Sequence, residues 1–283
     1  MSCNTSRITD TGEFFNETKA NDVSPISAWN TSSVTNMGIM FSDTNVSDLS
    51  PISGWDTSNV TSMKEMFKVS SVNNLSSLGA WDTSSVTNME SMLSNTNVSD
   101  LSPLSGWNTS NVTNMAGMFR FTSASNLSSL GAWDTSSVTD MGEMFKATNV
   151  SDLSPLSGWN TSNVTNMEKM FAGAYDDPSP LSDLSPISGW DTSSVTNMKS
   201  MFRFTSVNNL SPLSGWDTSS VTDMERMFNN TSVTDPSPIS GWDVSNVEVN
   251  FSKFFGNENI DSVKTGDMLA GWIDGSPNTE ADM

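Results

Sequence analysis

The residues best placed to do chemistry form a column in which each member follows a tryptophan. They are Asn30, Asp56, Asp82, Asn108, Asp134, Asn160, Asp191, Asp217 and Asp243. On one face, about 5 Å apart, such carboxylates repel, so the column needs neutral spacers, backbone donors or a cation. One reading is therefore an acidic binding face for a basic partner, a glycan or Ca²⁺. The other is that each Asp or Asn closes a turn by accepting from nearby backbone amides. No EF-hand or Gly-Asp-rich calcium spacing accompanies the column, which leaves calcium the weakest of these ligands and the metal-ligand set empty. A second candidate is the stretch 174–181, which holds the only tyrosine, Tyr175, beside Asp176 and Asp177. It reads either as a binding loop or as a tolerated insertion.

Catalysis has little to stand on. The chain contains no histidine, which removes the usual general base, the imidazole metal ligand and any Ser-His-Asp triad. No phosphate loop or distinct acidic pair stands out, so the expectation is a protein without catalytic residues or cofactor.

The elements that position these columns follow from a repeat. Trp29, Trp55, Trp81, Trp107, Trp133 and Trp159 are each 26 residues apart; Trp190 follows after 31, Trp216 and Trp242 after 26 each, and Trp272 after 30. A fixed period of this size marks a solenoid, propeller or array. Around Trp107, Leu101 and Leu104 precede, while Val112, Met115, Met118 and Phe119 follow at the spacing of one face of a short helix. Gly106-Trp107-Asn108-Thr109 reads as a short strand, with Trp and Thr pointing inward and Asn outward. One strand and one helix cannot bury their own apolar side, but stacked copies can. The expected architecture is an α/β solenoid of about nine 26-residue coils, short parallel strands on one face and short helices on the other. At the usual strand spacing it would be a rod on the order of 45 Å long.

This register also decides several simpler questions. The ten tryptophans and the methionine pairs (Met63 and Met66, Met89 and Met92) are expected in the core rather than as sugar platforms or copper ligands. Thr57, Thr83 and Thr109 should point inward, against a threonine-lined ice-binding face. The sequons at Asn45, Asn59, Asn97, Asn111, Asn149 and Asn163 would accept glycans in a eukaryotic secreted protein, and also arise from Asn/Ser/Thr composition alone.

Composition narrows the partners. With 32 acidic and 12 basic residues the formal charge is −20, unsuited to nucleic acid or anionic membrane and suited to a soluble, exposed protein that meets cations or basic partners. The single cysteine, Cys3, precludes an internal disulfide and falls in the tryptophan column, where a small buried residue is expected. No run of 18 apolar residues is present, and the N-terminus carries no hydrophobic leader segment.

The chain divides into a degenerate N-terminal repeat or cap over 1–29, the solenoid over 30–242 with a five-residue insertion near 174–181, and a degenerate C-terminal repeat or cap with a polar tail over 243–283. At the C-terminal end Asn250 and Lys253 replace both methionines.

The repeated Trp-Asp-Thr-Ser-Asn-Val-Thr-Asn-Met-x-x-Met-Phe, as in Trp55 to Phe67, resembles the BspA-like leucine-rich repeat surface proteins, specifically their 26-residue bacterial surface repeat. The resemblance spans nearly the whole chain. It implies a leucine-rich-repeat-like solenoid, a cell-surface or extracellular location, and adhesion through an unknown protein or glycan of a cell surface or matrix. It supplies no catalytic residues. The export signal and the wall or lipid anchor of typical surface members are not found in the sequence. The alternative is a structural module that stacks end to end in a longer array.

Overall fold

The computed structural model describes residues 5–247 and 253–256, wound into a solenoid of parallel coils. The coil beginning at Trp55 shows how the sequence makes it. The chain runs extended through Asp56 and Thr57 and turns at Ser58 and Asn59, where Val60 N donates to Thr57 O at 2.9 Å. It then meets its neighbours at Ser62, joined by single parallel bridges to Asn36 and Asn88. Two tight turns follow, Met66 N to Met63 O and Ser70 N to Phe67 O, each 3.2 Å. Their third residues, Glu65 (φ 55°) and Val69 (φ 56°), are left-handed, the signature of a type II turn. The segment Ser76–Leu78 then forms a one-turn 3-10 helix before Trp81.

This corrects the expected strands and helices. Among the described residues there is no α-helix, and pairing is confined to isolated bridges such as Asn88 with Asn114. The bridge column lies seven residues after each Trp, not at Gly-Trp-Asp-Thr. The one-turn helix precedes the Trp, as at Ser50–Ile52, and does not span the Val-Met-Met-Phe set. The physical reason is where the amides go. The N–H groups of Met63, Glu65, Phe67 and Val69 donate to the carbonyls of Asn88, Glu90, Met92 and Ser94 at 2.7–3.0 Å. Amides committed to the next coil cannot close an α-helical ladder within their own. A left-handed non-glycine residue costs roughly 1–2 kcal/mol, and the inter-coil bond it allows offsets that cost. Val60, Met63, Met66 and Phe67 still point inward, so the apolar spacing was a true signal of burial with the wrong backbone beneath it.

Burial and register hold the coils together. Met63, Met66, Phe67, Val72 and Leu78 are fully buried, each worth roughly 1.5–3 kcal/mol of apolar burial. Like side chains stack coil on coil: Trp55 on Trp81 at 6.5 Å, Phe41 on Phe67 at 5.7 Å, Phe119 on Phe145 at 5.7 Å. Each indole N–H from Trp55 to Trp242 donates to a carbonyl one coil earlier, as Trp107 does to Leu78 O at 3.1 Å. The threonines Thr57, Thr83 and Thr109 are buried and donate to the carbonyls of Asp82, Asn108 and Asp134 at 2.9–3.0 Å. They face inward, as the alternation with Trp required. Among the described residues no buried side-chain polar atom lacks a partner.

At the insertion, the chain leaves the ladder at Gly173, whose N–H donates to Arg203 O, and rejoins it at Ser179, whose N–H donates to Phe204 O. A Cβ on Gly173 would lie 2.2 Å from Phe204 O and 2.4 Å from Ser179 N. Glycine alone fits there. Cys3, Asn250, Trp272 and the polar tail lie outside the described residues.

Candidate functional site

The Asp/Asn column projects from the short turn after each tryptophan. Asp56, Asp82, Asp134, Asp191, Asp217 and Asp243 are exposed, while the Trp before and the Thr after each of the first five are buried. Each carboxylate closes its turn. Asp56 Oδ1 accepts from Ser58 N at 3.1 Å and from Ser58 Oγ at 2.6 Å; Asn108 does the same with Ser110 at 3.1 and 2.8 Å. The serine hydroxyl and amide hold the Asp56, Asp82, Asp134, Asp191 and Asp217 carboxyls below the ordinary range. The turn-closing role is therefore real, and the column is also open to solvent.

A second acidic column escaped sequence reading. Asp22, Asp48, Asp100, Asp152, Asp183 and Asp235 stand seven residues before a Trp, and each Oδ1 accepts the first N–H of the following 3-10 helix, as Asp152 does from Ser154 at 2.8 Å. The signal was present as Asp-Leu-Ser-Pro, recurring in the linkers.

Cations are segregated from both columns. From residue 30 to 247 every Lys and Arg lies nine to thirteen residues after a Trp: Lys64, Lys68, Arg120, Lys146, Lys169, Lys199, Arg203 and Arg226. There all but Arg203, whose Nε donates to Asn229 Oδ1, are paired with acids of the same face. Glu143 accepts from Arg120 at 2.6 Å and Lys146 at 3.1 Å, and Lys199 meets Glu225 at 2.5 Å. Burial opposes the charge of Glu143, but its Arg120 and Lys146 partners outweigh that and hold its pKa below the ordinary value. Asp140 runs the other way, raised by burial against its Gly142 and Asn166 hydrogen bonds. A shallow groove of about 210 Å³ opens on this face where Ala116, Gly117 and Gly142 stand in the place of longer side chains.

In the insertion, Tyr175 is 81% exposed, Asp176 and Asp177 are exposed, and Ala174 N donates to Asp177 O at 3.0 Å. The Tyr175 ring packs edge-on against Phe204, 5.6 Å between centroids. Of the sequon asparagines, Asn59, Asn111 and Asn163 donate from Nδ2 to the carbonyls of Ser32, Ser84 and Ser136 at 2.7–2.8 Å. Asn45, Asn97 and Asn149 are exposed.

The family model described as "Mycoplasma protein of unknown function, DUF285" matches residues 1–103, 96–184 and 154–265. The chain belongs to this family. Among curated proteins none matches the sequence. Among solved structures, the chain is similar to an internalin (inlF) from Listeria monocytogenes at 12% identity and TM-score 0.47, covering 86% of this chain and 77% of that one. It is similar also to an internalin C2 (inlC2) of the same organism at 15% identity and TM-score 0.42, covering 83% and 76%. The solenoid assignment stands on the coil geometry itself. No helix among the described residues is long and apolar enough to cross a membrane.

Proposed function

We propose that this DUF285 protein is a non-enzymatic, BspA-like binding scaffold of the cell surface or extracellular space. On this reading its two acidic columns meet a basic protein or a glycan of a surface or matrix. One observation carries the proposal: the solenoid's cations sit nine to thirteen residues after a Trp, leaving the columns of Asp82 and Asp100 exposed and unneutralised from coil to coil. A row of fixed, like charges on a rigid rod raises the local concentration and on-rate of an oppositely charged partner.

The test is binding of the full chain to arrays of glycans and matrix proteins, beside a variant with Asp56, Asp82, Asp134, Asp191, Asp217 and Asp243 all changed to Asn. Asn108 already closes the same turn, so the variant loses charge and keeps the fold. A hit lost in the variant supports the column; a hit retained sends the site elsewhere.

A second reading, end-to-end stacking of arrays, is favoured by Phe14, which is 58% exposed and packs edge-on against Trp29 at 5.1 Å. Concentration-dependent mass in light scattering supports it, and a constant monomer mass counts against it.

A further inference from the structure

One edge of the solenoid differs chemically from the rest. Fourteen residues after each Trp from Trp29 to Trp242, Gly173 excepted, the backbone is left-handed; this column carries, besides Asp43, Asn95, Asn230 and Gly256, the residues Val69, Phe121, Ala147, Gly173 and Phe204. Inter-coil amides join the last four consecutively: Phe121 N to Lys146 O, Ala147 N to Ala172 O, and Gly173 N to Arg203 O. Three of the four large exposed hydrophobic residues among the described ones lie on this edge: Val69, Phe121 and, on the loop beginning at Gly173, Tyr175. The preceding column supplies a cation to each of four members: Lys68, Arg120, Lys146 and Arg203. Arg120 and Lys146 lie 5.4 and 5.6 Å from the Phe121 ring centre, and Arg203 lies 4.3 Å from that of Phe204.

Within this edge Arg203 stands apart. Lys68, Arg120 and Lys146 each hold a glutamate at 2.6–3.1 Å. Arg203 has no carboxylate partner within 4 Å among the described residues; its Nε donates to Asn229 Oδ1 at 3.2 Å, and its guanidinium carbon lies over the Phe204 ring. In a chain of charge −20, a guanidinium without an ion-pair partner among the described residues, over the ring that packs against Tyr175, the most exposed aromatic residue among them, can take a carboxylate.

We propose that Arg203, Phe204 and Tyr175 form a docking point for a protein partner that presents one carboxylate side chain beside an apolar patch. The carboxylate meets the two terminal amines of Arg203, and Tyr175, with Phe121 farther along the edge, covers the apolar part. Arginine and tyrosine are the residue types that dominate protein–protein hot spots. A polyanion is disfavoured, since Asp176, Asp177 and the whole −20 field repel it. A neutral or basic protein offering a single acid meets no such penalty. This site is independent of the acidic columns.

The experiment is selection of short random peptides displayed on phage against the immobilised full chain, with glycan arrays of uronate- and sialate-bearing sugars in parallel. The expected peptides carry one Asp or Glu flanked by aromatic or aliphatic residues. Arg203→Gln and Tyr175→Ala should each weaken them about tenfold or more, with unchanged circular dichroism and thermal midpoint. Arg203→Lys should rescue only part of the affinity, because the bidentate fork is lost. Changing the six column aspartates to Asn should leave this binding intact. Peptides without an acidic residue, peptides indifferent to Arg203→Gln, or binding confined to the acidic sugars would each overturn the proposal.

Discussion

The indole Nε1 of Trp133 donates to the carbonyl oxygen of Leu104, 3.1 Å away and one coil earlier. The same bond recurs from Trp55 to Trp242, with donor–acceptor distances of 3.0–3.4 Å. It makes tryptophan the residue that both fills a coil and fixes its register on the coil before. Replacing Trp133 by Phe keeps most of the apolar volume but removes one of the two donors to the Leu104 carbonyl, which retains the Trp107 N–H at 3.1 Å. The expected cost of the lost bond is about 0.5–1.5 kcal/mol, measured by denaturant unfolding. Because coils couple only to neighbours, the loss should split a single unfolding transition into two. An unchanged midpoint would mean the bond is incidental.

Val69 is β-branched, exposed, and sits at φ 56°. Changing it to Gly should stabilise the protein by about 1 kcal/mol, since the left-handed conformation costs that residue most. In a helical segment the same change would destabilise by roughly 0.3–0.5 kcal/mol. The sign, read from a urea midpoint, distinguishes stacked turns from the helix expected of the sequence.

Gly173 and Gly54 should behave oppositely. An added Cβ at Gly173 collides with the backbone of Phe204 and Ser179, whereas at Gly54 it meets nothing within 4 Å. Gly173→Ala is expected to cost about 1–3 kcal/mol, and Gly54→Ala to stay within about 0.5 kcal/mol. Equal effects in thermal unfolding would contradict the way the loop leaves the ladder.

The acidic columns imply a pH dependence. The carboxyls of Asp82, Asp134 and Asp191 are held below the ordinary aspartate range in the folded protein, first by the hydroxyl of the serine two residues on and then by its amide. Their contribution is therefore fully present above the unfolded value and is lost as pH falls through and below it. The variant with Asn throughout the column should lose less stability than the wild type on acidification below pH ~4. Parallel acid titrations of the two proteins, followed by tryptophan fluorescence, check this; coincident curves would refute the linkage.

The sequence made the period, the inward Trp, Met and Phe columns and the insertion legible, because burial depends on side-chain spacing alone. It did not reveal the backbone. Val60, Met63, Met66 and Phe67 have the spacing of one helix face, yet type II turns present the same set inward. The usual glycine signal for such turns appears in this column only at Gly117, since Glu65, Ser91, Glu143 and Lys169 occupy the equivalent left-handed positions. The acidic column was found, and its turn-closing hydrogen bonds matched one of the two readings given to it. Arg203 was missed because it is far from Tyr175 in sequence and is linked to it only through Phe204, which coil stacking brings against the Tyr175 ring. The recurring pairs Lys68-Val69, Arg120-Phe121 and Arg203-Phe204, all in one register, were the signal that could have found it.

The most direct test of the scaffold's function is the dissociation constant of its strongest array partner, followed against salt for the wild type and the six-Asn variant. Binding through the acidic columns predicts that wild-type affinity falls steeply with rising salt, and that the variant binds more weakly with a shallower slope. Equal affinities and equal slopes would show that the column from Asp56 to Asp243 only closes turns, and that the partner is held elsewhere.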